Sequence, residues 1–322
     1  MLRNFKEVID TAGKLGQVTV AVAPAQDSEV LVAVKTAYDL ALIQAIFVGD
    51  GDIIRPMAEE AGLPVNIQII HEPDPDQAVL TAVKLVKSGK AQILMKGLIN
   101  SSNFLRAVLS SEHGLRSGRI LTHFAAFEIP GEKKLAFHVD GGINIAPNLE
   151  QKKEILISAI EALRAMGIEK PNVAVLAANE QVSLKMPVTV HAKALVDMSE
   201  SGQLPPCIIE GPISMDVAAS AEAAKHKGIV SKIAGDVDIF LVPDIEAGNM
   251  IGKTLVNYAK AKVAGIIIGA THSIVMGSRA DSAEAKLNSI ALACLLTNRM
   301  DKQGQVEQPP SELSGHIIGG NV

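Results

Sequence analysis

The clearest structural pattern in the chain lies in Gln17–Asp50, which reads QVTVAVAPAQDSEVLVAVKTAYDLALIQAIFVGD. It opens with an apolar, valine-rich run through Ala25 that is typical of a buried strand. Apolar residues then recur at helical spacing from Ser28 to Tyr38, and a second strand-like run begins at Gln44. A strand, a helix and another strand in this order predict a βαβ unit whose two strands are parallel.

The same alternation continues along most of the chain and predicts an α/β fold built on a parallel sheet. Helices are expected at about 54–61 and 248–260, in addition to an amphipathic helix at the start of the chain. The further strand-like runs, in chain order, are VNIQIIHEP, AQILMKG, NVAVLAA, CIIEGPI, DIFLVPD and AGIIIGA.

The middle of the chain departs from this pattern. The runs GRILTHFAAFEI (Gly118–Ile129) and KLAFHVDGGINI (Lys134–Ile145) are separated by a short turn, so they predict an antiparallel hairpin. This hairpin is expected to begin a second domain. Within it, His123 and His138 are expected to face each other as partly buried neighbours rather than as a metal-binding pair.

Composition narrows the class of protein. With 322 residues, 48% of them hydrophobic, the chain can bury a large core. A net charge of −5 and only 3% aromatic residues argue against a nucleic-acid partner. No apolar run approaches the roughly 18 residues that span a bilayer, and the start of the chain does not resemble a signal peptide. We therefore expect a soluble, cytoplasmic protein that does not bind a membrane.

Several cofactor and catalytic motifs are absent. The sequence has no dinucleotide fingerprint, P-loop, zinc-protease motif or nucleophile elbow. Cys207 and Cys294 lie far apart, which favours two buried thiols over a disulfide or a zinc site. Gly49–Asp52 is expected to be a turn after a strand, and the segment 300–316 to be linker-like. No metal site and no permanently bound cofactor are predicted.

Candidate site residues follow the predicted strands, because the carboxyl ends of strands hold the sites of open α/β sheets. They are Lys96, Gly97, Ser101, Ser102, Asn103, Arg106, Asp140, Asn179, Glu180, Glu210, Asp244, Asn249, His272, Ser278 and Arg279.

Two of these strand-to-helix turns combine a hydroxyl with an arginine, in INSSNFLR and in GSRADS. The N–H groups at a helix start attract anions, and the forked donors of an arginine match phosphate oxygens. The turns therefore favour a dry site for a phosphorylated ligand. The alternative is ordinary helix capping by Ser101 or Ser102.

Lys96 follows an apolar strand, so it either faces an anion or forms an ion pair with Asp140 or Glu210.

Five blocks of the sequence resemble the phosphate acetyl/butyryltransferase family, between about Val18 and Leu296. They are MKGLINSSNFLRAVL, LAFHVDGGINIAPNLEQK, EGPISMDVA, DIFLVPDIEAGNMIGKTL and GSRADSAEAKLNSIALA. The chain is most similar to the butyryl-transferring members, because it carries MKG and GSRADS where acetyl-specific members usually carry SGA and SRG.

This resemblance implies a reversible reaction in which an acyl-CoA and inorganic phosphate give an acyl phosphate and free CoA. It also implies two α/β domains of the isocitrate/isopropylmalate dehydrogenase-like type, with the site in the cleft between them and a homodimer or higher homo-oligomer as the assembly. We assign residues 1–115 and 264–322 to the first domain and residues 116–263 to the second. CoA or acyl-CoA would then be a substrate, not a resident cofactor.

The resemblance also implies roles for individual residues. Ser278 and Arg279 match the family's active-site pair, with Arg279 and Arg106 holding phosphate. Ser278 is expected to stabilise charge rather than to act as a nucleophile, because no histidine and aspartate accompany it locally. The remaining substrate-binding candidates are Lys96, Gly97, Ser101, Asp244 and Asn249.

One departure from the family concerns the base. Acetyl-transferring members carry an aspartate seven residues after the serine, and that position here is Ala285. The neighbouring Glu284 is the candidate base, and Asp281 and the phosphate dianion are alternatives. Glu284 could instead be a solvated residue in the first turn of a helix, where acidic side chains are favoured, with no part in catalysis. The sequence therefore leaves open a phosphate acetyltransferase and a CoA- or phosphate-binding protein without catalysis. Two other enzymes of similar fold are rivals, a lipid-pathway phosphate acyltransferase and a metal- and NAD-dependent decarboxylating dehydrogenase. The dehydrogenase would need carboxylates grouped as a metal site.

Overall fold

The computed structural model describes residues 2–306, with side chains through residue 300. The helices in this range are α1 (Phe5–Gly13), α2 (Ser28–Asp39), α3 (Gly51–Glu60), α4 (Pro75–Lys87), α5 (Ser101–Val108), α6 (Leu149–Ala165), α7 (Pro187–Glu200), α8 (Met215–Ala219), α9 (Ala221–His226), α10 (Ile245–Asn257) and α11 (Ala283–Val306). The strands are β1 (Val18–Ala23), β2 (Ile43–Gly49), β3 (Gln68–His71), β4 (Ile93–Lys96), β5 (Thr122–Glu128), β6 (Ala136–Val139), β7 (Asn172–Leu176), β8 (Ile208–Ile213), β9 (Ile239–Leu241), β10 (Lys262–Ile268) and β11 (Ser273–Val275).

All of these strands join one sheet in the order β3-β2-β1-β4-β11-β10-β5-β6-β9-β7-β8. The first five strands in that order are parallel to one another. Strand β10 runs antiparallel to β11 and β5, and β6 runs antiparallel to β5. Strands β9, β7 and β8 then continue parallel to β6. The predicted α/β class is confirmed, and the sheet is mixed because of the pairing around β10 and β5.

The predicted hairpin is present as the antiparallel pair β5 and β6, but its register differs from the expected one. His138 lies opposite Ala125, and His123 lies opposite Ile267 of β10. The prediction that the two histidines face each other is therefore wrong. The His138 ring instead packs between Phe127 and Phe240, with both pairs of ring centroids 4.9 Å apart.

Side-chain caps set where the helices begin. Asp244 Oδ1 accepts a hydrogen bond from the N–H of Ala247 at 2.8 Å, so α10 begins at Ile245, earlier than predicted. Asp50 caps α3 through the N–H of Asp52, so the segment predicted as a turn is the start of a helix. The helix predicted from Ser28 is confirmed, with Asp27 as its N-cap.

The core lies on both faces of the sheet. Residues of α1, α2, α3, α6 and α11 share one buried cluster, and residues of α4 and α5 share another.

Both cysteines are free thiols. Cys294 is buried in α11, where burial raises the pKa of its thiol to about 12, and Cys207 is half-buried. Helix α11 continues to Val306, so it includes the start of the segment predicted as a linker, and residues 307–316 of that segment lie outside the described residues. No helix among the described residues is both long and apolar enough to cross a membrane.

Candidate active site

A small recess lies where the carboxyl ends of β4 and β11 meet. These strands are parallel neighbours, with Met95 opposite Val275, so the residues that follow them lie side by side. The recess is lined by Asp27, Val30, Met95, Lys96, Gly97, Val275, Gly277, Ser278, Arg279, Lys286 and Ser289. The predicted site residues Lys96, Gly97, Ser278 and Arg279 are thus brought together by the fold.

The backbone on the β4 side of the recess requires glycine at position 97. A Cβ at Gly97 would lie 1.8 Å from the carbonyl oxygen of Pro24. The same stretch is anchored by two hydrogen bonds, from the N–H of Gly97 to Ala23 at 3.0 Å and from the N–H of Leu98 to Pro24 at 2.9 Å. This close approach fixes the position from which the Lys96 side chain extends.

The loop after β11 is organised by Asp281. Its carboxylate accepts a hydrogen bond from the N–H of Ser278 at 2.7 Å, and a Cβ at Gly277 would lie only 2.6 Å from the same oxygen. The backbone carbonyl of Asp281 accepts a hydrogen bond from the Lys286 ammonium. The loop therefore holds Ser278 and Arg279 at the mouth of the recess. Both side chains are exposed, so the site is more open to solvent than the dry site that the sequence predicted.

The start of α5 faces this loop without a side-chain cap. Asn100 occupies the N-cap position but makes no capping hydrogen bond. Its Oδ1 instead accepts a hydrogen bond from Arg279 Nη2 at 3.3 Å. The alternative of ordinary capping by Ser101 or Ser102 is therefore wrong. Among the described residues no side chain satisfies the first N–H groups of α5, which leaves them available to an anion.

The charges in the recess are predominantly positive. Burial lowers the pKa of Lys96, and the neighbouring Arg279 lowers it further, with Lys286 adding to the effect while Asp27 and Asp281 oppose it. Lys286 is itself 7% exposed. Three side-chain cations close together are costly unless an anion binds among them.

Lys96 does not form the ion pairs that the sequence left open. Asp140 accepts hydrogen bonds from the N–H groups of Gly142 and Ile143, both at 2.9 Å. Glu210 accepts hydrogen bonds from the Ser231 hydroxyl and from the backbone N–H of Lys232. Both carboxylates are therefore engaged by groups other than Lys96.

Other predicted site residues lie outside the recess. Glu284 forms an ion pair with Lys262 at 2.8 Å, and both side chains are about half exposed. Ala285 is buried, so the position that carries the aspartate in acetyl-transferring members contributes an apolar surface. Arg106 is exposed on α5 and, like Ser101, is not among the residues that line the recess.

The remaining predicted residues lie on or beside α10, a separate part of the structure. Asp244 caps that helix, and Asn249 is exposed. Gly248 lies against Gly141, because a Cβ at Gly248 would be 2.6 Å from the Gly141 Cα. The structure therefore docks α10 against the loop after β6, and Asp244 and Asn249 are not among the residues lining the recess.

Three residues with a place in the site were not identified from the sequence. Asp27 follows β1 and lines the recess, Asn100 contacts Arg279, and Lys286 lies in the largely buried stretch of α11 that begins at Ala285. A lysine within a buried helical stretch is a detectable signal, because burying an unpaired ammonium is unfavourable. Asn100 carried no such signal.

A different group of residues has metal-ligand spacing. Asp50, Asp52 and His71 place their ligand atoms within 4.8 Å of one another at the start of α3. His71 Nδ1 already accepts a hydrogen bond from the N–H of Gly51 at 3.1 Å, and Asp50 caps the helix. These contacts account for the grouping as a helix start.

Comparison with known proteins shows which family the chain belongs to. Residues 65–294 match the family described as phosphate acetyl/butaryl transferase. The chain belongs to this family. A phosphate butyryltransferase of Clostridium acetobutylicum is 44% identical over 297 residues, which cover 92% of this chain and 99% of that protein. A phosphate acetyltransferase of Thermotoga maritima is 40% identical over 85% of this chain and 94% of that protein.

A solved structure agrees with this membership. The crystal structure of a branched-chain phosphotransacylase from Enterococcus faecalis has a TM-score of 0.78 to this chain at 34% identity. The match covers 87% of this chain and 99% of that one. The mixed α/β fold described here is therefore the fold of a phosphotransacylase.

Proposed function

We propose that the chain catalyses the reversible transfer of a short-chain acyl group, with butyryl as the expected group, between CoA and inorganic phosphate. The observation that carries this proposal is the meeting of Lys96, Arg279 and Lys286 beside the uncapped start of α5. Membership of the acyltransferase family and the 44% identity to a phosphate butyryltransferase support it.

Phosphate or the phosphoryl part of an acyl phosphate would occupy the recess. The forked guanidinium of Arg279 matches two phosphate oxygens, and one of its nitrogens is already oriented by Asn100. Lys286 adds positive charge, which offsets the repulsion between the anionic substrates, and Lys96 does the same while it is protonated. The free N–H groups at the start of α5 would contribute further donors.

Ser278 would assist the acyl transfer itself. Its hydroxyl is exposed beside Arg279, and no histidine is bonded to it in the described part of the chain. It is therefore suited to donate a hydrogen bond to the carbonyl oxygen, which gains negative charge in the tetrahedral transition state, or to the leaving sulfur. Donors placed in this way lower the barrier by about 3 to 4 kcal/mol.

The remaining predictions belong to the same proposal. Residues 1–115 with 264–322, and residues 116–263, would act as two α/β domains, although their strands form one sheet. Arg106, Ser101, Asp244 and Asn249 would bind the phosphate or CoA across the cleft between these domains. We further propose that the chain is a cytoplasmic homodimer or higher homo-oligomer with acyl-CoA and phosphate as its partners, and that it binds no nucleic acid.

A CoA-release assay tests the proposed function. The purified chain is mixed with butyryl-CoA or acetyl-CoA, with and without inorganic phosphate, and the free thiol is measured. We expect CoA release that depends on phosphate. If neither acyl-CoA supports it, while CoA or phosphate still binds, then the chain is a binding protein without catalysis.

The second candidate is a phosphate acetyltransferase. The 40% identity to the Thermotoga maritima enzyme favours it, because that relative is named for acetyl transfer. The same assay distinguishes the two, since kcat/KM for butyryl-CoA and for acetyl-CoA are measured side by side. A higher kcat/KM for acetyl-CoA would support the acetyltransferase.

A further inference from the structure

We propose that Lys96 is a catalytic residue that carries the proton between the CoA sulfur and the phosphate oxygen, an inference that rests on the proposed acyltransferase function. In both directions the nucleophile loses a proton and the leaving group gains one, so a group between them can carry that proton. The recess places the Lys96 side chain beside Ser278 and Arg279, where the reacting groups would meet.

The proton balance defines the role. When CoA attacks an acyl phosphate, the neutral Lys96 amine takes the thiol proton, the sulfur bonds to the carbonyl carbon, and the carbon–oxygen bond to phosphate breaks. The leaving phosphate oxygen keeps that electron pair and takes the proton from the Lys96 ammonium. In the reverse direction phosphate gives its proton to the amine, and the departing thiolate recovers it. Lys96 therefore ends each turnover in its starting state.

The carboxylates that could serve as the base are engaged elsewhere. The Asp281 carboxylate accepts the hydrogen bond from the N–H of Ser278, and Glu284 pairs with Lys262. Position 285 is a buried alanine. Asp27 lines the recess, and its Oδ1 is bonded to the N–H of Val30 at 3.0 Å as the cap of α2. Asp27 is nevertheless the competing candidate, because it lines the recess.

The three cations of the recess differ in how they are held. Arg279 donates to Asn100, and Lys286 is buried and donates to the carbonyl of Asp281. Among the described residues the Lys96 ammonium makes one hydrogen bond, to the carbonyl of Gly97 at 3.4 Å, and it pairs with no carboxylate. A lysine held this loosely can lose its proton and move between two substrates, whereas the other two cations act as fixed charges.

The charged groups around Lys96 favour this role. Arg279 and Asp281 face it from the loop after β11, Lys286 faces it from α11, and Asp27 faces it from the turn before α2. Burial and the two cations outweigh the two carboxylates, so the pKa of Lys96 is lowered towards the range in which a lysine works as a base.

The test compares Lys96→Arg with the wild type, because arginine keeps the charge but does not release a proton near neutral pH. We expect kcat for CoA consumption to fall by at least about 100-fold, while KM for acyl phosphate changes by less than about tenfold. The wild-type rate rises with pH as the amine loses its proton, and this rise disappears in the variant. The matched control is Lys193→Arg, because Lys193 is exposed on α7 and paired with Asp197. We expect this control to keep the wild-type rates.

A second variant keeps the proposal testable if arginine perturbs the recess. In Lys96→Ala, added primary amines restore activity in proportion to their basicity if the missing function is proton transfer. Wild-type kcat and pH dependence in Lys96→Arg would overturn the proposal. So would loss of the pH-dependent rise in Asp27→Asn while Lys96→Arg stays active, because Asp27 would then be the acceptor. If the wild-type protein itself is inactive, both the proposed acyltransferase function and the role of Lys96 are overturned. If the wild type is active and Lys96→Arg behaves like it, only the role of Lys96 is overturned.

Discussion

The guanidinium of Arg279 and the amide of Asn100 are joined by a hydrogen bond of 3.3 Å, although 179 positions separate them in the chain. The bond connects the loop after β11 to the start of α5, and it uses one Arg279 nitrogen while leaving the other donors free. It also explains why Asn100 does not cap its own helix. The two predicted phosphate-binding turns therefore meet through Arg279 and Asn100 rather than through Arg106.

Removing this bond is predicted to weaken phosphate binding without unfolding the protein. A hydrogen bond to a charged group contributes about 1.5 to 3 kcal/mol, less where water competes. For Asn100→Ala we expect kcat/KM for phosphate to fall by about tenfold, a loss of about 1.4 kcal/mol, with an unchanged melting temperature. The matched control is Asn103→Ala on the same helix, whose amide donates to Asp76 and not to Arg279. Equal effects of the two variants would contradict the positioning role.

Arg279→Lys is predicted to lose most activity and keep the fold. Lysine supplies one point charge in place of the planar fork, so the phosphate is held less firmly in the transition state. We expect kcat/KM for phosphate to fall by about 100-fold or more, with an unchanged circular dichroism spectrum. Arg119→Lys is the control, since Arg119 pairs with Glu161 outside the recess. Wild-type turnover in Arg279→Lys would refute the phosphate-binding role of the fork.

Glu284→Gln distinguishes the sequence-based candidate base from an ordinary surface residue. Because Glu284 is paired with Lys262 and both are about half exposed, we expect kcat to stay within about threefold of wild type. The free energy of unfolding should fall by less than about 1 kcal/mol, as for other exposed ion pairs. Steady-state kinetics and urea denaturation measure the two quantities. A loss of kcat near 100-fold would restore Glu284 as the base.

His138 is predicted to make the protein less stable in mild acid. Burial lowers the pKa of its ring to about 4 from the ordinary 6.5, and neither ring nitrogen has a partner. The unfolded chain therefore binds the proton more tightly between these two values, so stability decreases as the pH falls from 6.5 towards 4. This histidine alone accounts for about 3 kcal/mol over that range.

The comparison of His138→Leu with the wild type isolates this contribution, because other groups titrate equally in both proteins. We expect the variant's free energy of unfolding to change less between pH 6.5 and pH 4. The exposed His226 on α9 gives the control His226→Leu, which should keep the wild-type dependence. If the free energy of unfolding of His138→Leu changes with pH as much as that of the wild type, then the buried ring does not resist protonation.

Much of the fold was predictable because it depends on local periodicity. The apolar runs of β1 and β2 and the helix between them follow directly from residues 17–50, and the hairpin of β5 and β6 follows from the short turn between its strands. The register of that hairpin was not predictable in the same way. The pairing of His138 with Ala125 depends on packing around Phe127 and Phe240, which lie on different strands.

The site was predictable in part for a similar reason. Ser278, Arg279 and Lys96 each follow an apolar run, so their place at the strand ends could be inferred one turn at a time. The bond between Asn100 and Arg279 depends on β4 and β11 being neighbours, a long-range pairing that no local pattern contains. Glu284 shows the converse, because its closeness to Ser278 in the sequence does not place it among the residues that line the recess.

The most direct test of the phosphate site is a crystal structure of the wild-type chain grown with inorganic phosphate and CoA. We expect phosphate density in the recess, with oxygens within hydrogen-bonding distance of the Arg279 guanidinium and the Lys96 side-chain nitrogen. Phosphate bound at full occupancy elsewhere, for example at Arg106 alone with the recess filled by water, would contradict it.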